Sequence, residues 1–246
     1  AARSPNVHDT EDLERECAAL RRDHAVLAFG LSHDLRAPLR AIESFSYLLD
    51  QHGGQLDEQG RDHLRRIRDA SARMARLLSR MQAWLQAGSA TMRNETVDLS
   101  LLADWCIAEL RDAHPGREAQ VDIAPDLHVR GDERLLKSAL QELLHNAWHF
   151  TPPDRPVEIR LDAQRTPEGL TVRIHDRGEG FDPAHASRLG EPYQRLHAGT
   201  NADGCGMGLA IARRIAERHG GSLRIEGQPG EGAVASLTLP DEDTAR

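Results

Sequence analysis

The sequence predicts two domains, an all-α helical hairpin that pairs with a second copy as a four-helix bundle, followed by an α+β sandwich. Three observations lead there. Residues 11 to 50 carry Leu13, Leu20, Leu27, Leu31, Leu35, Leu39, Ile42, Phe45 and Leu49 at separations of mostly three, four or seven, the period of one long amphipathic helix. A second stripe of the same period follows a glycine break: Leu64, Ile67, Ser71, Met74, Leu78, Met81 and Leu85. From Val97 onward the period changes, and short runs of alternating apolar residues are interleaved with further helices.

Composition narrows the reading. Over 246 residues the formal charge is −8, which argues against a phosphate-neutralising nucleic-acid surface. Aromatics make up 4% of the chain and the mean hydropathy is −0.56, so the core is expected to be Leu, Ile, Val and Ala, with much helix surface in water. Cys17, Cys106 and Cys205 are odd in number and far apart, which points to reduced thiols rather than a disulfide framework or zinc site. No run reaches the roughly 18 apolar residues of a membrane helix, and no signal peptide is visible. The AARS start suggests an excised fragment, so a sensor or membrane anchor is expected upstream of a cytoplasmic portion.

The elements follow in order. The first helix ends at Gly53 and Gly54, with Asp57 as N-cap of the next. A hairpin with one apolar stripe per helix buries neither well alone, and pairing two copies solves this; a homodimer is therefore expected from pattern. Gly88 to Asn94 reads as linker. A helix over 99–112, β-like runs at 119–123 and 127–130, and a helix from Asp132 to Phe150 come next. Strands at 157–164 and 170–176 flank a turn at Pro167 to Gly169. Arg177 to Asn201 lacks periodicity, and a loop that long in a compact domain is usually functional. A helix from about Gly206 to His219 and two strands, SLRIEG and AVASLTL, close the domain with a mixed or antiparallel sheet.

Four stretches carry chemistry. In FGLSHDLRAPLRAI, His33 lies about 200° around the helix from both Leu31 and Leu35, so burying those leucines exposes the imidazole. Arg36, Ala37, Arg40 and Ser44 share that outer side. Pro38 denies the carbonyl of Asp34 its partner and should bend the helix one turn after His33. Asp34 can accept a proton from Nδ1–H and leave the Nε2 lone pair outward, as a nucleophile requires. In QELLHNAWHFT, Leu140, Leu143, Leu144 and Ala147 face a core while Glu142, Asn146 and His149 align on one stripe, where a carboxylate and an amide can share Mg²⁺ and its waters. DRGEG places Asp176 at a strand end, within reach of an amino group such as that of adenine, with Gly178 and Gly180 letting the backbone turn beneath a flat ring. In DGCGMGLAIARRI, Gly204, Gly206 and Gly208 precede a helix whose free N–H groups can hold phosphates.

Taken in order, SHDLRAPLRAI, ELLHNAWHFT, DRGEGFD, EPYQRLH and GCGMGLAIARRIAERHGG resemble the H, N, G1, F and G2 boxes of bacterial sensor histidine kinases, over residues 10 to 240. The resemblance implies a phosphoacceptor hairpin followed by a Bergerat-type (GHKL) ATP-binding domain. It divides the chain into a signalling helix at 1–23, a dimerisation and phosphotransfer hairpin at 24–88, a linker at 89–96, a catalytic domain at 97–240 and a tail at 241–246. By position, His33 is similar to the phosphorylated histidine and Asp34 to its acidic neighbour. Asn146 matches the Mg²⁺ ligand. Glu142 stands where kinases often carry Asn and resembles the acid of the related ATPases. Asp176 matches the adenine-reading aspartate, Tyr193 replaces the usual Phe of the F box, and Arg195 is its basic partner. Gly204, Gly206, Gly208 and Leu209 match the phosphate loop, and 177–201 becomes the lid over ATP. His149 stands where Lys is usual, and Ala37 where kinases that also dephosphorylate their partner carry Thr or Asn, implying weak phosphatase activity. The expected activity is phosphotransfer from ATP·Mg²⁺ to His33 and on to a response-regulator aspartate. The rivals are an ATPase clamp of the same fold without a protein acceptor, and a degenerate dimeric scaffold.

Overall fold

A computed structural model of the chain describes residues 35–51, 56–184, 189, 191 and 206–240. The chain divides into two compact units, Ala1–Ser89 and Ala90–Arg246.

The first unit holds helix α1, described over 35–51, and helix α2, Glu58–Ser89. Asp57 caps α2 as its sequence suggests, accepting the N–H of Gly60 at 2.7 Å. The helix continues through Pro38, but the expected bend turns on the carbonyl of Asp34, outside the described residues; Gly53 and Gly54 also lie outside. On α1, Leu39 and Ser46 are buried; on α2, Leu64, Ser71, Gln82 and Ala87 are. Arg36 was expected on the outer polar side with Arg40. Instead it is half-buried and donates to Oε1 of Gln82 on α2, because its long stem can lie along the hairpin while its head reaches an amide acceptor. The apolar stripes are wider than the groove between the two helices. Leu35, Ile42, Phe45, Leu48, Leu49, Ile67, Met74 and Leu77 stay 39% to 66% exposed.

The second unit is built on a five-stranded sheet in the order β2-β4-β5-β7-β6, where β2 is Ala119–Ile123, β4 Val157–Thr166, β5 Gly169–Asp176, β6 Ser222–Gln228 and β7 Gly232–Leu239. β2 runs parallel to β4 and every other pairing is antiparallel. Strand parity sets the core. Val157, Ile159 and Leu161 of β4 and Leu170, Val172 and Ile174 of β5 point to one face and are at most 5% exposed, while Glu158 and Arg160 point to the other. Helices α3 (Leu99–Ala113), α4 (Glu133–His149) and α5 (Gly208–Arg218) accompany the sheet, with α4 in contact with both other helices and with β4 and β5. Leu136, Leu140, Leu143, Leu144 and Trp148 of α4 are essentially sealed, as are Ile211 and Ile215 of α5. The four predicted core positions of α4 are buried together.

One element was not foreseen. Between the stretch read as linker and the helix expected from 99, β1 (Glu95–Asp98) pairs antiparallel with β3 (His128–Gly131). Asp98 then caps α3 by accepting from the N–H of Leu101 at 3.0 Å, and Asp132 caps α4 by accepting from Arg134 and Leu135. Both caps satisfy first-turn donors that would otherwise be orphaned.

Candidate active site

Asp176 is the anchor. It continues the inward parity of Leu170, Val172 and Ile174, so its carboxylate sits on the helix side of β5 at the strand end. Its Oδ1 accepts from the N–H of Gly178 at 2.9 Å and of Ala233 on β7 at 3.1 Å. Burial pushes its carboxyl above the usual aspartate value, against the pull of those two N–H groups. A carboxylate so fixed presents a directed acceptor in a partly desolvated place, which suits an exocyclic amino group.

The glycines after Asp176 were expected to pass beneath a flat ring. Within the chain itself their nearest neighbours are backbone. A Cβ on Gly178 would stand 2.6 Å from the carbonyl oxygen of Phe150, the residue that ends α4. One on Gly180, at φ +64, would stand 1.8 Å from the carbonyl oxygen of Gln228. The loop is stitched at both places: Glu179 N–H donates to Phe150 O at 2.9 Å, and Gly230 N–H to Glu179 O at 2.7 Å. The two glycines therefore let the loop after β5 lie flat against the end of α4 and the β6–β7 turn.

α4 and α5 meet at the same place. A Cβ on Gly208 would lie 2.7 Å from Oε2 of Glu142 and 3.8 Å from Nδ2 of Asn146. The first residue of α5 thus faces the polar stripe of α4, where Glu142 is buried and Asn146 half-buried. Met207, the N-cap of α5, provides no side-chain cap, so the first-turn N–H groups are left for another acceptor. Gly206 sits at φ +69, a left-handed turn that carries the chain into the helix. Leu209 is half-buried beside it. His149 ends the stripe with its ring stacked on His145 at 5.7 Å and edge-on to Phe150 at 5.4 Å.

The structure thus gathers Glu142, Asn146, Asp176, Gly178 and Gly208 around the end of α4. His33, Asp34, Tyr193, Arg195, Gly204 and most of the expected lid lie outside the described residues. A cavity of about 920 Å³ opens on the sheet face away from the helices, among Asp122, Glu158, Arg160, His175 and Glu226. None of its lining comes from α4 or α5, and of the residues just gathered it touches Asp176 alone.

Sequence reasoning passed over His219 and understated Asp132. His219 Nδ1–H donates to Ile215 O at 2.8 Å, and its Nε2 accepts the N–H of Asp132 at 3.1 Å, which defines a neutral tautomer. Asp132, fully buried, also accepts from Arg93 N–H and the Arg134 side chain. The GDER start of α4 announced a cap; nothing in the sequence announced its partner 87 residues away.

Comparison with known proteins agrees with this geometry in both units. Residues 27–88 match the family "His Kinase A (phospho-acceptor) domain", and residues 131–243 match "Histidine kinase-, DNA gyrase B-, and HSP90-like ATPase". The chain is 29% identical over 230 residues to the cyanobacterial phytochrome A of Nostoc sp., covering 93% of this chain and 29% of that protein. It is 30% identical over 249 residues to the histidine protein kinase DivJ of Caulobacter vibrioides, covering 95% of this chain and 40% of that protein. The chain therefore spans less than half the length of either relative. In fold it is like full-length ShkA, solved in complex with AMPPNP, with a TM-score of 0.62 over 87% of this chain and 46% of that one, at 24% identity.

Proposed function

From the premise that this chain belongs to the two-component sensor histidine kinases, we propose that it binds ATP in its second unit, phosphorylates its own His33, and passes the phosphoryl group to an aspartate of a response regulator. The observation that carries the reading is the meeting of Gly208 with Glu142 and Asn146 beside Asp176. The Asp176 carboxylate reaches the C-terminal end of α4 through Gly178, and the uncapped start of α5 faces the Glu142 and Asn146 stripe of the same helix.

The residues fit their ligand. Asp176 accepts from the adenine amino group, and the first turn of α5 with Gly206 and Gly208 receives the phosphates at the positive end of a helix dipole. Leu209 packs beside them. Asn146 and Glu142 supply oxygen donors where Mg²⁺ would be held, and the ion would neutralise phosphate charge. His149, Tyr193, Arg195 and Gly204 complete the set by position in the sequence. Replacing the usual Lys by His149 takes away the reach of a flexible four-carbon stem and its three rotatable donors from the phosphate contact. His33 attacks through Nε2 with Asp34 orienting Nδ1–H, so the P–O bond to the leaving ADP breaks as the P–N bond forms. Catalysis is then chiefly positioning and charge neutralisation. The exposed apolar face of α1 and α2 supports a homodimer, since a second copy would cover it. Among the described residues no helix is long and apolar enough to cross a membrane.

Incubation with γ-labelled ATP tests this directly. The chain should acquire label that is stable to base and labile to acid; His33→Gln should abolish it, and Asp176→Asn should reduce it by weakening nucleotide binding. ATP hydrolysis without label on the protein would favour the clamp-type ATPase, and absence of nucleotide binding would favour the scaffold.

A further inference from the structure

The segment joining the two units is fastened to the second one. Arg218, the last residue of α5, donates to the carbonyl of Ala90 at 2.6 Å. Arg134 donates to the carbonyl of Thr91 at 3.3 Å while its other bonds hold Asp132. The N–H of Arg93 donates to Oδ2 of Asp132 at 2.9 Å. Arg130 of β3 donates to the carbonyl of Asn94 at 3.0 Å and to Oγ1 of Thr96 at 3.3 Å. From Ala90 to Asn94, four of five residues have a backbone group bound to the ATP-binding unit, three of them by guanidinium groups. On the other side α2 is helical through Ser89, whose hydroxyl donates to Leu85 O at 3.0 Å. Between the helix and the first fastened carbonyl there is no free length of chain.

Sequence composition would join the two units by a flexible tether about seven residues long, Gly88 to Asn94. We infer that the tether is absent, and that Arg218, Arg134 and Arg130 act as positioning residues that make 90–94 a rigid extension of the ATP-binding unit. Rotation of that unit toward His33 is thereby confined to the Gly88–Ser89 end of α2, where glycine weakens the last helical turn. The reason for the arrangement is geometric. A loose tether lets the γ-phosphate sample a large volume, whereas a single pivot carries it along an arc, which raises the fraction of encounters aligned with the histidine. α5 is well placed for this, since its 11 residues, about 16 Å at the usual rise, carry Gly208 at one end and the Ala90 anchor at the other.

The inference rests on the kinase reading above, and its test separates the two. Amide hydrogen exchange on the full chain should show the Arg93 N–H protected, and Arg218→Ala and Arg130→Ala should each speed its exchange at least tenfold. In the same variants ATP affinity should stay within twofold while the autophosphorylation rate falls at least fivefold. Arg218→Lys, which keeps a donor for Ala90, should recover most of that rate. Unchanged exchange in both variants overturns the inference, and so does a loss of ATP affinity matching the loss of rate, since that would mean the arginines merely hold the fold together. Failure of the unaltered chain to label itself would defeat the kinase reading, while exchange would still decide the fastening.

Discussion

The two units solve the problem of burial in opposite ways. The ATP-binding unit closes on itself: Leu136, Leu140, Leu144, Ile211 and Ile215 show no exposure, and Trp148 and Leu161 show 1%. The hairpin does not close. It buries Leu39 and Leu64 but leaves Phe45 66% and Leu49 55% exposed, a contiguous apolar face that single chains rarely carry into water. If the proposed dimer forms, one unit's stability is a property of its own chain, whereas the other's depends on how much protein is present.

The most damaging way to break that contrast is to charge the open face. Phe45→Asp should convert a dimer to a monomer by sedimentation and strip helical circular dichroism from the hairpin. Losing a buried Phe is worth at least about 3 kcal/mol per copy, so two copies weaken association by roughly 10⁴-fold or more. The ATP-binding unit should melt as before. The unaltered chain gives a companion check, because the hairpin transition should rise with protein concentration and the other should not. A monomeric unaltered chain with a stable hairpin would remove the contrast altogether.

An intermediate effect should come from the self-contained unit and stay there. Gly180 sits at φ +64 with the Gln228 carbonyl where a Cβ would go, so Gly180→Ala has both a left-handed backbone and a backbone clash to accommodate. We expect a loss of about 2 to 4 kcal/mol in the urea unfolding of this unit, independent of protein concentration. The dimer should be untouched. If Gly180→Ala instead unfolded with the unaltered midpoint, the flat packing of the loop against the β6–β7 turn would be wrong.

What could be read from the sequence follows the same division between local and distant causes. The polar stripe of α4 and the inward Asp176 were legible because helix and strand periods are local: Glu142, Asn146 and His149 share a face by spacing, and Asp176 shares parity with Ile174. β1 escaped because ETVD is too short to establish a period and exists only through its pairing with β3. Arg36 was placed outside because a helical wheel shows where a Cβ points and not where the guanidinium at the end of a long stem goes. The glycines of DRGEG were recognised as necessary, but what they make room for, Phe150 O and Gln228 O, depends on elements up to 48 residues away. The fastening of 90–94 was hidden for that reason as well: its partners Arg130, Arg134 and Arg218 have no local pattern.

The smallest effect sharpens the contrast through pH, because the ATP-binding unit carries an internal acid sensitivity at His219. Its imidazole is neutral, with Nδ1–H given to Ile215 O and Nε2 accepting the Asp132 N–H, so a second ring proton would face a donor. Burial, first of all, holds its pKa below the ordinary histidine value, against the helping field of Asp132 and with Arg218 adding to the shift. The unfolded chain therefore binds that proton at higher pH than the folded chain. Stability from this group is present above about pH 6.5 and declines as pH falls toward the lower folded value, by at most about 1.4 kcal/mol per pH unit. Asp132 acts later: hydrogen bonding by Arg134 holds its carboxyl far below the usual range, so its contribution persists until pH drops past about 4. Urea midpoints of the ATP-binding unit should consequently decline in two stages, the first between pH 7 and 5. His219→Gln, which can still accept from Asp132 N–H, should flatten that first stage and leave the second. A midpoint already flat from pH 7 to 5 in the unaltered chain would mean that the ring accommodates its proton, and that the bond to Asp132 contributes little.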